Sequence, residues 1–169
     1  MPLDKGSQGI LMELVQGEAL GHLRRGRRRS PRDAVRITMS ILRGLRSMHD
    51  KGYVHSDIAP HQIYDTGQGI KILDLGSAVR LGTTGGAGSW EYMPPEQFAA
   101  RNQRKLDVTA DLYATAGVLV YLLTGRAPYA AHAGGSANEY KARLLAAHSS
   151  GQAAYDPNGL PEPLRAVVA

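Results

Sequence analysis

Apolar residues recur at Ala34, Ile37, Ile41, Leu45 and Met48, a three- and four-residue spacing that puts them on one face of a helix. Its start is marked by Ser30 at the cap, Pro31 at the first helical position and Asp33, whose short acidic side chain suits the helix dipole. Asp50-Lys51-Gly52 ends it, with Gly52 as the left-handed cap residue, and His49 reads as a packed or capping histidine. Further on, two short strand-like runs joined by Thr66-Gly67-Gln68-Gly69 predict a hairpin. Asp57 precedes it on a loop, and Asp74 follows it, two residues before Gly76. Taken alone, each aspartate reads as ordinary turn chemistry. Upstream, the apolar run Ile10 to Val15, with Glu13 inside it, lies between the turn-like Lys5-Gly6-Ser7-Gln8-Gly9 and Gly17 and predicts a strand leading into a linker. The segment from Asp107 to Gly125 is apolar nearly all round, as suits a helix at a domain centre. Asn138 to His148 has the spacing of a surface helix through Tyr140, Leu144, Leu145 and Ala147, and Leu160 to Ala169 starts another. One hairpin among several helices is an α+β arrangement that is mainly helical.

Composition narrows this picture only in places. The 169 residues fit one ordinary domain, and 43% hydrophobic with 21% charged residues argues against global disorder. The absence of cysteine removes disulfides, thiolate zinc sites and cysteine nucleophiles together and fits a reducing compartment. The longest apolar stretch, Leu112 to Leu123, is short of the roughly 20 residues a membrane helix needs, and the N-terminus lacks the order of a signal peptide. A cytoplasmic protein with no membrane segment is expected. The net charge of +5 is uneven, since seven arginines fall between Arg24 and Arg36. Arg24, Arg25, Arg27, Arg28 and Arg29 read as a solvated loop and helix start. The weaker alternative is a nucleic-acid patch, against which stands the lack of interleaved aromatic residues for base stacking. The glycine-rich stretch Ser77 to Ser89 lacks the strand-to-helix placement of a phosphate cradle and reads as a loop.

The run His55-Ser56-Asp57 with Ala59 and Gln62, then Lys71-Ile72-Leu73-Asp74-Leu75-Gly76, resembles the catalytic loop HRD-x-K-x-x-N and the DFG segment of eukaryotic-type serine/threonine protein kinases. Gly88-Ser89-Trp90-Glu91-Tyr92-Met93-Pro94-Pro95-Glu96 is similar to the GTPEYMAPE stretch of that family, and Asp107 to Gly125 to its central helix. The resemblance implies a protein-kinase-like fold, the C-terminal lobe with the N-lobe largely absent. Residues 1–16 would be the last N-lobe strand and hinge, and residues 17–169 the C-terminal lobe. It also implies transfer of the γ-phosphoryl of ATP to the hydroxyl of a protein substrate. Asp57 would be the catalytic base and Ser89 would help to set the substrate loop, while Asp74 and Gln62 would hold Mg2+. Met12 would be the gatekeeper, although a plain core methionine is an equal reading. The backbones of Glu13 and Val15 would face the adenine edge, Glu18 would sit near the ribose, and Tyr64 would lie beneath the base.

The departures are specific. No counterpart of the family's Gly-rich loop, small-lobe lysine or its partner glutamate occurs in the sequence, which points to a fragment of a longer gene or a truncated relic. Ala59 replaces a lysine near the transferring phosphate, for which His61 is the candidate substitute. Gln62 replaces an asparagine and carries its amide one methylene further out. Ser56 replaces the arginine that receives a phosphorylated activation loop, so phosphorylation at Thr83 or Thr84 is not expected to switch activity. The alternative to an active enzyme is a catalytically impaired pseudokinase that works as a binding or scaffolding module. A small-molecule phosphotransferase of the aminoglycoside type has a similar loop, but the Trp90–Glu96 segment argues against it.

Overall fold

The computed structural model describes residues 12–22, 28–84, 87–98, 105–129, 135–151, 156 and 159–168. The expected Lys5–Gly9 turn, Ile10 and Leu11, and Arg24, Arg25 and Arg27 lie outside them. Among the described residues there are five α-helices and five short strands, helices dominating.

Helix α1 (Pro31–His49) is capped by Ser30, whose Oγ accepts the Asp33 N–H at 3.1 Å, and its buried residues are Ala34, Ile37, Ile41 and Leu45. Gly52 has φ +78°, the left-handed conformation that glycine adopts without steric cost. Helix α3 (Val108–Thr124) begins at Asp107, which caps the Thr109 N–H, and buries ten of its 17 residues. The two helices pack together and carry the main core, in which Ile37, Ile41 and Leu45 meet Val118, Leu119 and Leu122 with Ile58 and Ile63. Burying side chains of this size contributes about 1.5–3 kcal/mol each before the entropy of ordering them is subtracted.

Strands are short and mostly antiparallel pairs of two or three residues. The predicted hairpin is β3 (Ile63–Asp65) with β4 (Ile70–Ile72), and Ile63 pairs with Ile72 across it. Strand β1 (Glu18–Ala19) extends this sheet on the β3 side, with Glu18 opposite Asp65 and Ala19 opposite Tyr64. A second sheet joins β2 (Tyr53–Val54) to β5 (Val79–Arg80). The stretch after Gly76 is therefore not loop throughout, because β5 lies in it and Thr84 makes a bridge to Lys105. A second correction concerns the strand expected over Ile10–Val15. Met12 to Val15 form no strand, since none of their backbone groups meets a partner strand among the described residues, and pairing begins at Glu18 instead.

Short helix α2 (Pro95–Phe98) leads from the Ser89–Pro94 segment, and α4 (Ala137–Ser150) packs against it. Helix α4 starts with a reciprocal cap in which Ser136 and Glu139 satisfy each other's backbone, a Ser-x-x-Glu signal present at residues 136–139. Its Leu144 packs with Met93, and Trp90 stacks on Tyr140 at 5.6 Å between ring centroids. Helix α5 (Glu162–Val168) packs on α3.

His148 closes this end of the molecule. Its Nδ1 lies 2.7 Å from the Tyr113 hydroxyl, its ring sits 4.0 Å from that of Tyr129, and burial pushes its pKa down to about 4. The imidazole is neutral in the fold and regains about 6.5 when unfolded. Its contribution is therefore complete above about pH 6.5 and is lost as pH falls toward 4. Urea midpoints should drop as pH is lowered from about 6.5 to 5, and His148→Gln should flatten that part of the profile. An unchanged slope would remove His148 as the cause.

Candidate active site

The loop from His55 to Ala59 is held from below by a single carboxylate. Asp111, fully buried on α3, accepts the His55 N–H at 2.9 Å on Oδ2 and the Ser56 N–H at 2.9 Å on Oδ1, while His49 Nε2 lies 2.7 Å from Oδ2. Since a carboxylate only accepts, that nitrogen of His49 carries the proton it donates. Ser56 adopts φ +63°, a left-handed conformation costing about 1–3 kcal/mol in a non-glycine residue. The bond to Asp111 and the donation of Ser56 Oγ to the Ser77 carbonyl hold it there. His55, also buried, places Nε2 3.3 Å from the Leu73 carbonyl, tying this loop to the residue before Asp74.

Asp57 leaves the loop half-buried. Its Oδ1 accepts both the Ser89 N–H at 2.8 Å and the Ser89 hydroxyl at 2.7 Å. Oδ2 receives no hydrogen bond from the described residues, so one oxygen is anchored and the other is left to act. The approach of Ser89 requires glycine before it: a Cβ on Gly88 would stand 2.8 Å from the Ser56 carbonyl oxygen and 3.0 Å from Gln97 Nε2. Buried Gln97 completes the joint, donating to the carbonyls of Ser56 at 2.7 Å and Ala87 at 3.1 Å. Tyr92, buried on the same segment, stays a neutral phenol because desolvation pushes its pKa far upward.

Asp74 is the second left-handed non-glycine residue, at φ +62°. Its Oδ1 accepts the Gly76 N–H at 3.1 Å, and its exposed Oδ2 accepts from Gln62 Nε2 at 3.3 Å. Gln62 is set by the 3₁₀ turn Pro60–Gln62, and its carbonyl accepts the Leu73 N–H at 2.8 Å, so the two side chains are positioned by one backbone contact. An exposed carboxylate and an amide are oxygen donors of the kind a magnesium ion takes; turning the Gln62 amide would present its oxygen. Among the described residues no group of three or more His, Asp or Glu could hold a metal by itself. Leu75, 59% exposed, lines an apolar hollow with Met48 and Tyr53 beside this segment.

The remaining expected site residues are more dispersed. Met12 is 61% exposed, which is not the placement of a core methionine. Glu13 pairs with Lys71 of β4, and Val15 is half-buried. Glu18 and Tyr64 face each other's neighbours across the β1–β3 pair, Tyr64 half-buried. Ala59 is fully buried in the main core, and His61, exposed beside Gly21, makes no hydrogen bond or ion pair among the described residues. Of the arginines, Arg28 is exposed, while Arg29 is half-buried with its N–H donated to the Leu122 carbonyl at 2.7 Å. Asp111 and Gln97 were not singled out from the sequence. An acidic residue inside an otherwise apolar helix was the available signal for Asp111, since a buried charge needs partners.

Comparison with known proteins bears on this arrangement. The pattern that defines the protein kinase domain matches residues 3–159. The chain is 35% identical over 130 residues to a probable serine/threonine-protein kinase of Streptomyces coelicolor, covering 71% of this chain and 19% of that protein. It is 33% identical over 177 residues to serine/threonine-protein kinase PknH of Mycobacterium tuberculosis, covering 97% of this chain and 26% of that protein. Serine/threonine-protein kinase Pkn2 of Myxococcus xanthus is 32% identical over 147 residues, or 75% of this chain and 17% of that protein. The chain thus spans about a quarter or less of the length of these curated relatives.

Removing the Asp111 carboxylate should be costly out of proportion to its size. Asp111→Ala strands two buried backbone N–H groups and the His49 imidazole at about 1–3 kcal/mol each, so a loss of about 3 kcal/mol or more is expected in urea denaturation. Asp111→Asn, which keeps one acceptor oxygen, should lose less. A loss below about 1 kcal/mol for Asp111→Ala would show that the loop is held by something else.

Proposed function

The chain belongs to the protein kinase domain family, and on that premise we propose that it carries the large lobe and hinge of a serine/threonine protein kinase. In this reading residues 1–16 are the end of the small lobe and the hinge, and residues 17–169 the C-terminal lobe. Its reaction is transfer of the γ-phosphoryl of ATP to a serine or threonine hydroxyl of a protein in the cytoplasm; no helix among the described residues is long and apolar enough to cross a membrane. The observation that carries the reading is the division of labour within Asp57, with Oδ1 fixed by Ser89 and Oδ2 open. Oδ2 accepts the proton of the substrate hydroxyl as its oxygen attacks the γ-phosphorus and ADP departs. Ser89 positions Asp57 and the start of the substrate loop. Asp74 and Gln62 would hold magnesium, which would supply charge neutralisation at the phosphate oxygens. The backbones of Glu13 and Val15 meet the adenine edge beside Met12, Glu18 approaches the ribose, and Tyr64 lies beneath the base.

A second reading, a kinase-like scaffold with impaired catalysis, is favoured by two positions. Ala59 brings no cation and is buried, and His61 is not drawn toward Asp57 by any hydrogen bond or ion pair. One missing preorganised electrostatic contact costs about 2.7–4 kcal/mol of transition-state stabilisation.

Calorimetry with ATP and magnesium on the 169-residue chain separates the readings. A dissociation constant of about 1–100 μM, lost in Asp74→Ala, is expected of the enzyme reading. No binding would leave the scaffold. Regulation has its own test. Ser56 is engaged with Ser77 and Asp111 and offers no cation to a phosphate, so Thr83→Glu and Thr84→Glu in an active form should change turnover by less than about tenfold. A larger rise would mean that another cation receives the loop.

A further inference from the structure

Helix α1 has a second pattern on the face opposite its buried one. Arg32, Arg36, Met39, Arg43 and Arg46 follow one another at steps of four and three residues. At about 100° per residue they share a sector of about 80°, and the row is about 21 Å long. All five are exposed, Met39 at 45%, with Val35 beside it at 39%. Arg36 lies 3.9 Å from Asp33 and Arg46 3.7 Å from Asp50, pairs so exposed that water screens them and a competing carboxylate can replace them. Arg32 and Arg43 have no ion pair among the described residues. The other face, Ala34, Ile37, Ile41 and Leu45, is locked in the core, so the row is a fixed ridge that cannot roll over.

We propose that this ridge is a docking surface for an acidic helical segment of a partner protein. Every charge in the row is a guanidinium, whose planar fork matches a carboxylate two bonds at a time. Two aliphatic side chains sit among the arginines, and arginine with methionine is the composition enriched at protein interfaces. A row one helix wide, repeating at four and three residues, is complementary to a helix with glutamates at the same repeat around a small apolar centre. A lipid surface is disfavoured because surface helices insert their apolar face, which here is already used in the core. A single-stranded nucleic acid is disfavoured because no aromatic side chain stands in the row for stacking.

The test uses the 169-residue chain and a fluorescent helical peptide of about 18 residues, with glutamates at four- and three-residue steps flanking a leucine, read by anisotropy in about 0.15 M salt. Saturable binding is expected. Arg32→Glu with Arg43→Glu should weaken it at least about tenfold, and Met39→Ala about threefold. That variant leaves Arg36 and Arg46 in a row whose charge is then balanced, and an unchanged urea midpoint shows that it is folded. Absence of saturable binding, or equal binding by the doubly substituted variant, would overturn the proposal. Tighter binding to phosphatidylserine vesicles or to a DNA duplex than to the peptide would overturn the choice of partner.

Discussion

The working loop of this molecule rests on one buried carboxylate. Asp111 is the only acidic side chain among the ten buried residues of α3, and it spends both oxygens on backbone N–H groups more than fifty residues away in sequence. That choice settles three things together. It satisfies donors that the left-handed turn at Ser56 would otherwise bury unpaired, it draws the end of α1 inward through His49, and it fixes the direction in which Asp57 leaves the loop. Two apolar helices could pack against each other without it, but the N–H groups of His55 and Ser56 would then lose their shared acceptor.

From that anchor the site is built largely by side chains reaching backbone carbonyls. Ser56 reaches Ser77, His55 reaches Leu73, and the Gln62 carbonyl takes the Leu73 N–H, so the segment carrying Asp74 is tied to the loop carrying Asp57 at three places. Gln97 and Ser89 add the third strand of chain, from the opposite side. Each bond contributes only about 0.5–1.5 kcal/mol, yet the groups they join sit in low dielectric, where leaving one unmade costs more than making it gains. The positive φ at Ser56 and Asp74 is tolerated because these bonds determine both residues from several directions.

Much of this was legible where several local signals agreed. Helix α1 combines cap, Pro31, first-turn Asp33 and a sustained apolar stripe, and all four point to one start and one face. The β3–β4 hairpin and the all-round apolar α3 were equally plain. What failed or went unseen depends on partners distant in the chain. The run Ile10 to Val15 satisfies a strand pattern, but a strand also needs a neighbour, which Met12 to Val15 lack among the described residues, and the two-residue β1 that does pair is too short to carry a period. The roles of Asp111 and Gln97 are non-local in the same way, since neither residue has a spacing that names its target. Resemblance supplied the positions of Asp57 and Asp74, while the bonds from Ser89 and Gln62 to those carboxylates came only with the fold.

Two of the three substitutions in the catalytic-loop pattern fall on charge rather than on geometry. Asp57 is oriented by Ser89, and Asp74 by Gly76 and Gln62. Ser56 and Ala59 stand where the family's pattern would bring a cation, and Gln62 keeps the amide of that pattern one methylene further out. Ser56 still serves the scaffold through its N–H and hydroxyl, and Ala59 still packs in the core, so both substitutions keep the fold while removing charge. Phosphoryl transfer depends almost entirely on positioning and on charge stabilisation. Under the proposed function, a site that retains the first and loses part of the second would hold and orient its ligands better than it turns them over. On the outer face of α1 the balance is reversed, with exposed guanidinium groups on a rigid ridge and only two small apolar contacts among them, so recognition there would depend on charge held in place by the same core that orients the loop.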